Sequence, residues 1–385
     1  VIVILADISP ALIAVEKVAV YLLMITAVVS LHEFGHYIVA RRFGVHVKTF
    51  AIGFGRKLFA LRSPRSGTTY QLNVLPLGGY CRLKREVETP ESGLGPSPGL
   101  SKVSPIWTAR SYDTDSLEAR TPLQRIAIMV AGPAVSFLIA IPLMIIAYAG
   151  LGTAAPTVVL TAPGGPADRA GLRPGDRIAA LRTVGDQSQA DISTAAWWTN
   201  PHGPVSITYR HNTDSRTVVL TPVDRHTTNQ RLSRKTLGLE VKIETNRLSI
   251  GDAIVRSGQS FENVWTTSWA GIANLLVRPR ATIGQFTGPI GLARSSGQVQ
   301  DYGWGSYFTF AAVISISLGI FNILPVPALD GGQVAFVIIE ILRGGKRVSQ
   351  KTQQVLLAGG IVAILALFAV TTFHDLNSML AHHKG

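Results

Sequence analysis

A glutamate and two histidines occupy a place where a membrane-crossing helix belongs. His32-Glu33-Phe34-Gly35-His36 lies inside residues 18–40, which carry no other ionisable side chain apart from Tyr21 and Tyr37. The part ahead of the motif, 18–31, is too short to span a bilayer; the run reaches the roughly 20 residues required only if the motif is counted in. On a helix the H-E-x-x-H spacing sets both imidazoles on one face, within reach of a single zinc, and Glu33 about 100° round as a general base. Such spacing also arises as an incidental polar patch. Ionisable groups inside a membrane segment are costly, however, which favours a functional metal site over a structural accident.

Composition places the motif in context. Of 385 residues 47% are hydrophobic and 15% charged, against about 25% charged in an average soluble domain. This describes a membrane protein with an aqueous portion. The single cysteine, Cys81, excludes an internal disulfide framework and a thiolate zinc cluster, and it is assigned no role. The apolar stretch 1–5 is too short for a signal-peptide core, and Asp7 follows it. A net charge of +13 raises the question of nucleic acid. The basic residues are better explained by topology: Arg41, Arg42, Lys48, Arg56, Lys57 and their neighbours follow the first apolar run, and Arg343, Lys346, Arg347 and Lys351 precede the last. Cytoplasmic loops carry such excesses, and no stacking-aromatic pattern accompanies these, so no nucleic-acid partner is expected.

Four uncharged runs, 18–40, 126–151, 302–329 and 352–373, are long enough to cross as helices. Four spans put both basic loops on one side and the long segment 152–300 on the other. The first and third spans then run inward together, which brings His32, His36 and the Leu329-Asp330-Gly331-Gly332 segment to similar depth near the cytoplasmic leaflet. Asp330 follows Pro325 and Pro327, which distort a helix, and freed backbone at that depth must line a polar cavity or be buried in protein. A carboxylate joining two histidines leaves a fourth position open, the catalytic pattern for zinc; the plainer alternative is a turn residue before two glycines.

Between the first two spans, 45–83 contains Gly53-Phe54-Gly55, Ser66-Gly67 and Leu77-Gly78-Gly79-Tyr80, and reads as a β-hairpin apolar enough to dip into the bilayer. Residues 88–105 form a Pro/Gly/Ser linker. A β-rich module of about 90 residues follows the second span. It has strands at 157–161, 205–209, 217–220 and 237–243, a short helix ended by Gly171, and a Pro174-Gly175 turn into Asp176-Arg177-Ile178. Residues 260–277, with Phe261, Trp265 and Trp269, suit a helix at the membrane interface, or an amphipathic helix packed on the soluble module.

Taken in order, His32-Glu33-Phe34-Gly35-His36, Gly132-Pro133 and Asn322-Ile323-Leu324-Pro325-Val326-Pro327-Ala328-Leu329-Asp330-Gly331-Gly332 resemble the site-2 proteases, zinc intramembrane metalloproteases, and the bacterial RseP-like branch in particular. Residues 50–55 and 76–80 resemble that branch's membrane-dipping β element, and 162–178 the core of a PDZ domain. The resemblance implies that His32, His36 and Asp330 bind Zn2+ and that Glu33 is the catalytic base. It also implies that Asn322, with Pro325 and Pro327 in the same motif, helps hold substrate. Ser136 stands where the second-span motif usually has asparagine, and Ser317 where the branch often has another.

The fold class expected is an α-helical polytopic membrane protein with four transmembrane helices, a membrane-associated β-hairpin and one extracytoplasmic PDZ-like β-rich domain. Its parts are the first transmembrane helix (1–44), the β element (45–86), a cytoplasmic linker (87–122), the second helix (123–151), the PDZ-like domain (152–245), an interfacial segment (246–301), the third helix with its L-D-G motif (302–332), and a cytoplasmic loop with the fourth helix (333–385). The site would be in the bacterial inner membrane, towards the cytoplasmic side. Substrates would be single-pass transmembrane proteins, either membrane-tethered regulators such as anti-sigma factors or signal-peptide remnants. A substrate helix must unwind before hydrolysis, and an edge strand of the hairpin would hold it extended. Two other classes are weighed: a zinc-free membrane-anchored PDZ scaffold, and a metal-dependent transporter, for which the paired broken helices of two related halves are not seen.

Overall fold

The computed structural model describes residues 10–85, 113–183, 204–211, 214–225, 234–278, 282 and 288–382; the linker read at 88–105 falls outside them. The chain divides into two compact units. One comprises Val1–Pro142, Gln259–Ser295 and Ala311–Gly385, the other Leu143–Gly258 and Ser296–Phe310. Among the described residues four helices are long and apolar enough to cross a membrane: Leu12–Arg42, Pro122–Leu151, Trp304–Ile323 and Gln350–Leu376.

In the first unit, α1 (Pro10–Arg42) packs on α2 (Pro122–Ile145) through glycine. A Cβ added at Gly35 would sit 2.4 Å from the carbonyl oxygen of Ala131, so the two backbones approach as closely as small residues permit in membrane helices. Below this contact a cluster of Ala40, Val45, Val47, Leu117, Ile128 and Met129 is buried.

β1 (Val47–Arg62) and β2 (Thr69–Leu83) pair as the turn residues predict, but the hairpin is folded back on itself. Residues 49–52 of β1 run antiparallel to 79–82 and alongside 69–72 in the same direction, while 57–62 pair antiparallel with 69–73. The stretches 57–62 and 79–83 are therefore its two edges. The fold-back turns on Gly53 and Gly55, with φ of 80° and 85°, a region that costs glycine nothing. Phe54, Leu58, Phe59, Leu61 and Leu77 are exposed on this element, an apolar surface that suits lipid better than water.

The third run differs most from the sequence expectation. The helix that begins at Trp304, here α6 (Trp304–Ile323), stops at Ile323 and does not reach Leu329. Pro325 has no amide to donate and disfavours helical backbone at Leu324, so the hydrophobic run continues as a loop. A separate helix, α7 (Asp330–Leu342), occupies part of the segment expected to be a cytoplasmic loop. Its first turn folds against that loop because Gly331 and Gly332 have no side chains; a Cβ at either would lie 2.1 Å from the Ile323 or Val326 carbonyl oxygen. The last helix, α8 (Gln350–His382), exposes Val355, Val362, Leu365 and Phe368.

The helix read at 260–277 starts ten residues earlier, as α4 (Ile250–Val277). Its Phe261 and Trp265 rings meet Phe137 of α2 at 6.0 and 5.6 Å between centroids. A further helix, α5 (Pro289–Asp301), lay undetected in the interfacial segment. The amide of Gly291 at its start donates to the buried Asp375 carboxylate of α8 over 2.8 Å, a side-chain cap supplied from a distant helix.

The second unit carries β3 (Thr153–Thr161), α3 (Pro166–Arg169), β4 (Arg177–Thr183), β5 (Val205–His211), β6 (Asp214–Leu220), β7 (Val223–Arg225), β8 (Arg234–Thr236) and β9 (Leu239–Asn246). Five strands form one antiparallel sheet in the order β6-β5-β4-β3-β9, and β7 with β8 makes a small ribbon. Alternation along β5 buries Val205, Ile207 and Tyr209 with Val158, Leu172, Ile178, Leu220 and Leu237. Gly171 ends α3 with φ 82° and Gly175 makes the following turn with φ 93°, both as the sequence predicts. β9 starts two residues later than read, after Gly238 at φ 70°.

Candidate metal centre and active site

Three side chains from two distant parts of the chain meet in the first unit. On α1, His32 and His36 lie on one helical face, their Nε2 atoms 3.3 Å apart. Asp330, in the first turn of α7, puts Oδ2 3.1 Å from His32 Nε2 and 3.2 Å from His36 Nε2. Both histidines are buried and Asp330 is half-buried. Among the described residues these three form a group that could hold a metal ion.

The donor set fits zinc. Four ligands at 2.0–2.1 Å from a tetrahedral ion are about 3.3–3.4 Å apart, close to the spacings seen. The outer nitrogens are engaged: His36 Nδ1 donates to the Ile128 carbonyl over 2.8 Å, and His32 Nδ1 is 2.9 Å from Ser136 Oγ. With Nδ1 of each ring turned to a partner, the two Nε2 atoms face a carboxylate oxygen, an arrangement that a cation resolves. The space in front of them is kept open by Gly132 on α2. A Cβ there would lie 2.2 Å from His36 Nε2 and 2.6 Å from His32 Nε2.

Glu33 points elsewhere on α1, as its offset on the helix requires. Its Oε2 accepts the backbone amide of Cys81, on the 79–83 edge of the β element, over 2.9 Å. Beside these three side chains opens a largely apolar cavity of about 210 Å³, lined by Met129, Val130 and Pro133 of α2, Asn322 of α6, and Pro325 and Asp330. Asn322 donates from Nδ2 to the Leu318 carbonyl. Of the residues expected at the substrate, Asn322 and Pro325 line this cavity. Pro327 is absent from its lining; its ring instead faces Gly360 of α8, where an added Cβ would lie 3.5 Å from Cδ.

The profile of peptidase family M50 matches residues 20–367. The chain belongs to peptidase family M50. Among its relatives, a protein of Agrobacterium fabrum named "putative zinc metalloprotease" is 29% identical, the alignment covering 94% of this chain and 95% of the relative. One of Rhizobium meliloti with the same description is 30% identical over 93% and 95%. Zinc metalloprotease RasP of Geobacillus kaustophilus is 26% identical over 94% and 98%. The M50 protein described here is thus a zinc metalloprotease related to the site-2 proteases, with four helices suited to a membrane.

Three groups at this M50 site were not assigned from the sequence. Ser136 was noted only as a departure from the family motif. The Ile128 carbonyl and the Cys81 amide are backbone atoms, and no residue type announces them.

Proposed function

We propose that this chain is an intramembrane zinc endoprotease that cuts transmembrane substrates, with His32, His36 and Asp330 as metal ligands and Glu33 as general base. The observation that carries the reading is the meeting of Nε2, Nε2 and Oδ2 at 3.1–3.3 Å, with both histidines and Glu33 on one helix able to cross a membrane. Bound zinc supplies Lewis-acid stabilisation of charge at the scissile carbonyl. Glu33 takes the proton of the attacking water and returns it to the leaving amine. The Cys81 amide fixes the direction of its carboxylate while it does so. Gly132 leaves room for the reacting atoms, and the neighbouring cavity receives apolar substrate side chains, with Asn322 and Pro325 in its wall.

A substrate helix must open before its amides can be reached, and its backbone then needs partners where water is scarce. The 79–83 edge supplies them by β-augmentation. Its position next to Glu33 supports this role, since one of its amides already faces the proposed base. The substrates proposed are single-pass membrane proteins: tethered regulators or signal-peptide remnants. The enzyme would sit in a bacterial inner membrane with its site towards the cytoplasm. The five-stranded sheet with α3 is read as an extracytoplasmic PDZ domain that admits or captures the substrate's outer end.

The test pairs metal analysis with cleavage of a single-span substrate in detergent, for the parent and for Glu33→Gln. One zinc in each protein with cleavage by the parent alone supports the reading. Cleavage by Glu33→Gln at the parental rate would remove Glu33 from the mechanism, and a parent without zinc would remove the metal site.

A further inference from the structure

The two histidines are held by unlike partners. His36 Nδ1 faces a backbone carbonyl, which can only accept, so that ring is fixed with its proton on Nδ1 and its lone pair on Nε2. His32 Nδ1 faces the hydroxyl of Ser136 at 2.9 Å, and a hydroxyl both donates and accepts. Ser136 and His32 are both buried. Separately from its hydroxyl, the Ser136 carbonyl accepts the Ser315 hydroxyl of α6 over 2.8 Å, also out of solvent.

We propose that Ser136 is the positioning residue for His32. By accepting the hydrogen bond from Nδ1–H it holds the imidazole in the rotamer and tautomer that present a lone pair at Nε2 to the metal. The hydroxyl stands one helical turn beyond Gly132. Gly132 and Ser136 therefore work as a pair on one face of α2, the first leaving space at Nε2 and the second fixing the far side of the ring. The inference rests on His32 being a zinc ligand, and groups of this kind typically contribute about 10–100-fold to metal affinity.

The experiment is a zinc competition titration with a chromophoric chelator, together with the visible spectrum of the cobalt-loaded protein. Both are run on the parent, Ser136→Ala, Ser136→Thr, Ser315→Ala and His32→Ala. Ser136→Ala should bind zinc about 10–100-fold more weakly and shift the cobalt bands, while Ser136→Thr, which keeps the hydroxyl, stays nearer the parent. Ser315→Ala removes the bond to the Ser136 carbonyl but not the one to His32, so it serves as the packing control and should keep the parent's affinity. Parental affinity and spectrum in Ser136→Ala overturn the proposal, and so does an equal loss in Ser315→Ala. Parental affinity in His32→Ala would instead overturn the metal site on which it rests.

Discussion

The backbone amide of Cys81 donates to Oε2 of Glu33 over 2.9 Å, so the edge of the β element and the proposed base form one unit. That amide leaves the sheet and reaches α1. Proline at position 81 therefore removes the Glu33 bond with little loss to the ladder, since edge positions tolerate proline. Cys81→Pro should retain one zinc per chain and lose cleavage by about 100-fold, the scale of a misplaced catalytic group. Cys81→Ala keeps the amide and should cleave near the parental rate. Parental activity in the proline variant would show that Glu33 needs no such partner.

Gly132→Ala tests the space in front of the two imidazoles. Replacing glycine by alanine inside a helix gains about 0.5–1 kcal/mol from propensity, and crowding two buried rings costs about 1–3 kcal/mol, so the zinc-free protein in detergent should unfold no higher than the parent. The new Cβ would meet both Nε2 atoms at 2.2 and 2.6 Å. Zinc content should fall well below one per chain. Full zinc loading in this variant would mean that the two imidazoles sit farther from α2 than described here.

What could be read in advance followed from how local each signal is. His32 and His36 were legible because four residues make one helical turn, and Asp330 because span counting brought its end of the chain to the same depth. The loop 324–329 was misread as span because hydropathy ignores what Pro325 does to the backbone. The doubling back of β1 and β2 was hidden because Gly53 and Gly55 read as a turn, while the second set of pairings joins residues distant in sequence. Ser136 was visible as an odd residue, but nothing local says that it faces a histidine 104 positions away.

Arg347 gives a sharper case. From the sequence it counted as one of several cytoplasmic charges. In the structure its Nε is 3.1 Å from Glu340 Oε1, and Arg125 Nη1 is 2.7 Å from Oε2 of the same buried carboxylate. The triad ties the start of α2, which leads to Gly132, to α7, which begins with Asp330. Glu340→Ala would take the shared carboxylate from Arg125 and Arg347, the latter still donating to the Glu118 carbonyl over 2.9 Å, and should cost about 3–5 kcal/mol. A triple replacement of Arg125, Glu340 and Arg347 by methionine should recover most of that loss, because the desolvation cost disappears with the charges. Thermal unfolding of the two variants in the same detergent checks this; equal destabilisation would mean that the triad contributes more than the desolvation of its charges costs.

The Cys81 thiol supplies a pH prediction. Burial, and after it the neighbouring charge of Glu33, pushes its pKa up to about 12, far above the ordinary value near 8.5. The reactive form is the thiolate, so at pH 8.5 an unfolded chain is about half ionised at this residue while the folded one is ionised to less than about one part in a thousand. Maleimide should label the native protein at least about 100-fold more slowly than the denatured protein at that pH. The native rate should keep rising with pH beyond 10, where an ordinary thiol has levelled off. Glu33→Gln removes the lesser of the two causes, so labelling should quicken yet stay well below the denatured rate. A native rate equal to the denatured one would place the 79–83 edge in contact with water, and would take from the proposed substrate strand the sheltered partner that its exposed amides require.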